Sequence, residues 1–292
     1  MGDAGDVKAT NASFMALLLF FLLTFAVTWV AWLAPALLAT AGNAGLFGLG
    51  GPVFLLGVFA PAMVALALTA HSEGRVGVAR LLSRIGKWQA SAHLYLFALG
   101  YMAASKLLAA LIHRLIMGEW PVFGDTPLLL MVAAILVSTL TQAGEEVGWR
   151  GYAMPRLARR LGLGGASLVL GLIWALWHLP LFYLPGSGSD GQSFPIYLLH
   201  VTALSVAMSW LYWKTNGSLL LVMLMHASVN NTTGIVPAAM SNPAGPLSFE
   251  GTLVAWATVG VSWLIAVLLL KKMQGASVDD MISADSRASG KR

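Results

Sequence analysis

The sequence predicts an all-α, polytopic membrane protein of about eight transmembrane helices, with both termini in the cytoplasm. Three observations predict it. Of 292 residues, 58% are hydrophobic and only 10% are charged, whereas a soluble domain carries roughly 25% charged residues. So few charges cannot cover a water-soluble surface of this size. The apolar residues run in blocks long enough to cross a bilayer, which takes about 20 residues. The basic residues fall in alternate loops, as the cytoplasmic preference of Lys and Arg requires.

Taken in order, the expected spans are 14–39, 47–70, 92–117, 127–155, 164–184, 195–213, 217–237 and 251–270. Residues 1–13 read as a cytoplasmic segment, 14–273 as one helical domain and 274–292 as a polar, disordered cytoplasmic tail. The first span is too long for a signal-peptide core and lacks a small-residue cleavage site, so it reads as a retained helix. With the amino terminus inside, the cytoplasmic segments hold Lys8, then Arg75, Arg80, Arg84 and Lys87, then Arg156, Arg159 and Arg160, then Lys214, then Lys271, Lys272, Arg287, Lys291 and Arg292. Arg114 is the one external basic residue, and Lys106 and Arg150 fall within spans. Gaining or losing one span would move whole basic clusters to the wrong side. Between spans two and three, Val78, Leu81, Leu82 and Ile85 recur at helical spacing among Arg80, Arg84 and Lys87. That pattern predicts a short amphipathic helix on the cytoplasmic leaflet, its cations near anionic lipid. The chain lacks cysteine, which excludes disulfides and thiolate chemistry. Its net charge of +5 comes without the aromatic-interleaved basic patches of a nucleic-acid binder. The expected partners are membrane lipids, and a prokaryotic chain of this kind belongs in the plasma membrane.

The polar residues inside the spans carry the chemistry. Gly144-Glu145-Glu146-Val147-Gly148-Trp149-Arg150 holds three charges within six positions, a cost of roughly 8–10 kcal/mol on the insertion scale before any pairing. Glu146 and Arg150 share a helix face at i,i+4 and can pair. Glu145 points about 100° away and has no local partner. A desolvated carboxylate of this kind suits a general base. In span five, Pro180 removes a backbone donor just after Trp174-Ala-Leu-Trp177-His178, which predicts a kink beside His178. In span seven, His226 and Asn230 share a face at i,i+4. Counted from the basic ends of their spans, Glu145, His178 and His226 all lie roughly 16–21 Å deep. Three unrelated structural residues have no reason to agree in depth.

Ordinary readings stand beside these. Glu146 and Arg150 read as a structural pair that orients Glu145. Asn230 could serve as interhelical glue, and Asn231 and Thr232 read as glue or turn residues. His200 reaches a similar depth but reads as structural, Lys106 as a snorkelling or paired cation. Trp149, Trp174 and Trp177 are expected to line a cavity wall. No His-Glu-x-x-His helix, phosphate loop or Gly-x-Ser-x-Gly elbow is present.

In combination and order, Glu145-Glu146-x-x-x-Arg150, Trp174-x-x-x-His178 and His226-x-x-x-Asn230 resemble the three motifs of the CPBP family. That family comprises CAAX prenyl proteases of the Rce1 type together with bacteriocin-processing and self-immunity (Abi) proteins. The resemblance covers roughly residues 137–231, and its one departure is Trp174, where the family more often has Phe. It implies an intramembrane endopeptidase acting on lipid-modified or membrane-embedded protein substrates. Glu145 would then be the general base, His178 would hold and polarise the attacking water, and His226 and Asn230 would stabilise the oxyanion. Two mechanisms remain open. Glu145, His178 and His226 could instead hold a zinc ion. A glutamate mechanism without cofactor is preferred, because a zinc site would leave no separate base except Glu146. The other function classes compatible with the sequence are a proton-coupled transporter and a non-catalytic immunity or scaffold protein of the same fold.

Overall fold

The computed structural model describes residues 4–38, 48–189, 192–240 and 244–276. The expected disordered tail lies, beyond Ala276, outside them. Among the described residues every regular element is helical: α1 (Ala4–Leu38), α2 (Pro52–Ser83), α3 (Ala92–Met117), α4 (Leu128–Thr141), α5 (Met154–Trp177), α6 (Phe194–Lys214), α7 (Leu219–Thr232) and α8 (Leu253–Met273). Six helical runs are long and apolar enough to cross a membrane. One of them, Leu128–Tyr183, contains both the fourth and the fifth expected spans, and the seventh is the shorter helix Leu219–Ile235.

Glycine divides two of the long runs. Gly74 takes φ 63°, ψ −163° inside α2, and Gly162 takes φ 67°, ψ 168° inside α5. Both lie where a side chain would be strained, so the chain turns there without a conventional loop. The amphipathic stretch expected after Gly74 is helical through Ser83. Its cations do not all face lipid, however. Arg84 turns inward and donates from Nη1 to the Tyr212 hydroxyl (2.7 Å) and the Gly151 carbonyl (3.3 Å). Its Nη1 thus serves a phenol and a backbone carbonyl, while its Nε is buried without a partner among the described residues.

Polar caps and small residues fix how the helices assemble. Ser193, Ser218 and Thr252 cap α6, α7 and α8 by accepting from the backbone N–H three residues on, each satisfying a donor that a bilayer could not. α6 and α7 are largely enclosed. α5 and α8 pack on α6, and α3 and α4 pack on α7. Lipid-facing positions such as Leu22, Val30, Leu115, Leu129 and Val137 are exposed apolar residues, consistent with a hydrocarbon solvent.

α4 does not continue directly into α5. A turn at Ala143–Glu146 leads into a wider π-helical stretch at Val147–Ala153. This stretch presses on α2. A β-carbon at Gly148 would lie 2.6 Å from the Pro61 backbone, and one at Gly144 would lie 3.0 Å from the Phe59 ring. Small residues let the two backbones approach. Pro61 has no N–H, so the Gly57 carbonyl one turn earlier lacks its helical donor. Thr28 of α1 donates its hydroxyl to that carbonyl (2.8 Å) and accepts from Trp177 Nε1 (2.8 Å). One proline in α2 is thereby tied through α1 to the end of α5.

Candidate active site

The three charges of the Glu145–Arg150 segment are all buried, but differently. Glu146 and Arg150 are fully enclosed, with Arg150 Nη1 donating to both carboxylate oxygens of Glu146 (2.9 and 3.1 Å). The expected i,i+4 pair is present. Glu146 Oε1 also meets His226 Nδ1 at 2.8 Å, an attachment across 80 residues that no local spacing foretold. A carboxylate held by a guanidinium is ionised and only accepts, so His226 carries a proton on Nδ1. Its Nε2 is then the atom left for substrate.

Glu145 has a different environment. Its Oε2 accepts from Trp174 Nε1 at 2.9 Å, and no cation lies within ion-pair distance of it among the described residues. It keeps 7% of its surface accessible, the opening a reactive carboxylate needs. The indole that holds it also packs edge-on against His226 (5.2 Å between ring centres) and His178 (5.7 Å). Arg150 lies over the same indole at 4.4 Å. Trp174 therefore gathers the carboxylate and both imidazoles. A phenylalanine would keep the packing and lose the donor.

His178 marks the end of α5 where a kink was expected. The last turn tightens, so the His178 N–H bonds Ala175 instead of Trp174. Leu179–Tyr183 then continues as a 3₁₀ turn with Pro180 near its start, where a proline costs little. The released Trp174 carbonyl accepts from His178 Nδ1 at 2.8 Å. A carbonyl cannot donate, so this proton sits on Nδ1 and the neutral ring offers a lone pair at Nε2. Trp177 (4.6 Å), Tyr197 (5.6 Å) and Trp32 (6.2 Å) wall the ring. Trp149 lies one ring further back against Trp177 and is core.

Asn230 follows His226 by one turn on α7 but is exposed and makes no hydrogen bond among the described residues. Asn231 is glue, donating to the Ser138 hydroxyl (2.9 Å) and the Ala227 carbonyl (2.8 Å). His200 meets the Ser262 hydroxyl. Lys106, expected to snorkel or pair, does neither: it is 4% exposed with no ion pair among the described residues. Tyr197, Trp32 and Thr28 were not singled out from the sequence. Only the hydroxyl of Thr28, in an apolar stretch that otherwise holds just Thr24, offered a signal.

As donors, one carboxylate and two imidazole Nε2 atoms suit a zinc ion. Among the described residues no group of three His, Cys, Asp or Glu side chains is arranged to hold a metal ion.

Comparison with known proteins places these residues inside a recognised segment. Residues 126–232 match the family described as type II CAAX prenyl endopeptidase Rce1-like. The chain is also similar to a protein named CAAX prenyl protease 2 from Methanococcus maripaludis, 27% identical over 226 residues that cover 73% of this chain and 82% of that protein.

Proposed function

We propose that this multi-pass membrane protein, similar across residues 126–232 to the type II CAAX prenyl endopeptidases described as Rce1-like, is an intramembrane endopeptidase using a glutamate-activated water. The observation that carries the reading is Trp174, whose indole holds Glu145 by a hydrogen bond and packs both imidazoles. Amide hydrolysis needs a base for water, a donor for the oxyanion and a proton for the leaving amine. Glu145 takes a proton from water while Nε2 of His178 accepts that water's second hydrogen. The hydroxide adds to the scissile carbonyl. His226, its Nδ1 held by Glu146, stabilises the oxyanion from Nε2, and Asn230, one turn further along α7, donates to it as well. Collapse breaks the C–N bond, and the proton held by Glu145 passes to the leaving amine. Carboxylic acid and amine products balance the water consumed, and no covalent enzyme–substrate intermediate forms.

The substrate class is proposed from the bilayer setting and from one groove. Ala26, Val30, Ala31, Val53 and Leu56 line an apolar hollow of about 410 Å³ between α1 and α2. Its end at Ala31 adjoins Trp32, which packs against His178. A hydrocarbon anchor seated there would hold its peptide near the site, in keeping with the prenyl-protein substrates that the relative's name denotes.

The test is mass spectrometry of a farnesylated CAAX peptide incubated with purified protein in detergent, beside the same peptide without the lipid. The expected result is a single internal cut, with the lipidated peptide consumed at least tenfold faster. Cleavage of neither this peptide nor a panel of membrane-spanning peptides would sink the reading and favour a scaffold.

A further inference from the structure

Lys106 lies on α3 and is 4% exposed, with neither an ion pair nor a hydrogen bond among the described residues. An ammonium enclosed in an apolar helical bundle is among the costliest side chains to leave unpaired, and such residues mark ligand sites. It lines a cavity of about 80 Å³, in a measure where one water needs about 10–15 Å³. The space holds a carboxylate with a few waters. His200 shares the cavity with Lys106, and its Nδ1 is fixed 3.2 Å from the Ser262 hydroxyl. Ser193 and Thr258 add hydroxyls to the wall, and Ile196 and Val259 make the remainder apolar. Glu250 also lines the cavity but is exposed, and it forms no ion pair with Lys106.

The cavity adjoins the candidate active site. Tyr197 is common to both, forming part of the cavity wall while its ring packs 5.6 Å from His178. Thr233, another lining residue, lies one turn beyond Asn230. Tyr197 thus stands between the cavity that Lys106 lines and the imidazole proposed to hold the attacking water.

We propose that this cavity receives the free C-terminal carboxylate of the peptide substrate, with Lys106 as its counter-ion and Ile196 and Val259 against the terminal side chain. The inference rests on the endopeptidase reading and deepens it. A carboxylate anchored there sets the scissile bond at a fixed distance from the chain end, so the enzyme selects peptides by their terminus. A single monodentate cation suits a carboxylate better than a dianion, which calls for several donors.

Binding separates this inference from the chemistry. A farnesylated CAAX tetrapeptide and its C-terminal amide are titrated against the Glu145→Gln protein, which is not expected to cut either, in detergent at low salt. The free acid is expected to bind about tenfold tighter than the amide, as a charge-assisted contact predicts. Lys106→Met, which replaces the ammonium with an apolar chain of similar length, is expected to bring the acid down to the amide's affinity. Equal affinities in the parent protein, binding of neither peptide, or an acid preference that survives Lys106→Met overturns the proposal. The acid–amide comparison needs no substitution at Lys106, so a folding defect in that variant cannot rescue it. Whether wild type cuts the acid peptide is scored separately and bears on the endopeptidase reading.

Discussion

Neighbouring glutamates should respond oppositely to the same change, because Glu146 is paired and Glu145 is not. In Glu146→Gln the negative charge leaves a site where Arg150 has no other hydrogen-bond partner among the described residues: its Nε and Nη2 are buried without one, and beside it stand only the Trp174 ring and the more distant charge of Glu145. Removing one side of a buried ion pair costs about 3–5 kcal/mol, since the other charge stays behind. The amide oxygen can serve Arg150 or His226, but not both as the carboxylate does. At about 2–4 °C per kcal/mol for a domain of this size, Glu146→Gln should melt roughly 6–20 °C below wild type. Glu145→Gln keeps an oxygen for Trp174 Nε1 and loses only an unpaired buried charge, so its melting point should stay within about 3 °C. The assay is thermal unfolding in detergent, followed by intrinsic tryptophan fluorescence and read beside peptide cleavage. The reasoning predicts a stable, inactive Glu145→Gln and an unstable Glu146→Gln. It is refuted if both variants melt alike, or if Glu146→Gln melts with wild type.

Asn230→Ala removes an exposed side chain without a hydrogen-bond partner, so stability should change by about 0.5 kcal/mol or less. An oxyanion role predicts a loss of about 10²–10³ in kcat, and unchanged kinetics would remove Asn230 from the mechanism. Thr28→Val strips the hydroxyl joining the Gly57 carbonyl to Trp177 Nε1. It should destabilise by about 1–3 kcal/mol and slow cleavage several-fold, because Trp177 packs on His178; a variant with wild-type melting and rate would show the relay to be idle. Gly148→Ala puts a methyl 2.6 Å from the Pro61 backbone and should cost about 1–3 kcal/mol or prevent folding. Folded protein recovered at wild-type yield and melting temperature would contradict that close approach.

What could be read from the sequence was whatever the bilayer makes expensive. Glu145, Glu146, Arg150, His178 and His226 stood out because an apolar solvent penalises each, and the Glu146–Arg150 pair follows from helical spacing alone. Neighbours across helices were not legible. Glu146 reaches His226 80 residues away, and Trp174, expected as a motif and wall residue, holds Glu145 directly. Pro180 signalled a disturbance but not its kind: the helix stops, and the freed carbonyl turns the His178 ring. Pro61 has its partner on α1, which only the packed structure reveals. Lys106 reads as a snorkelling or paired cation, because depth along one helix does not show whether a carboxylate lies on the next.

The central claim is that Glu145 activates water without a metal, and the most direct measurement is the rate of farnesyl-peptide cleavage by wild type and Glu145→Gln, each with and without a strong zinc chelator. The account predicts that wild type is unaffected by the chelator, and that Glu145→Gln folds normally yet loses at least 10³-fold in rate. Cleavage that fails with chelator and returns with zinc, or that survives Glu145→Gln, would contradict it.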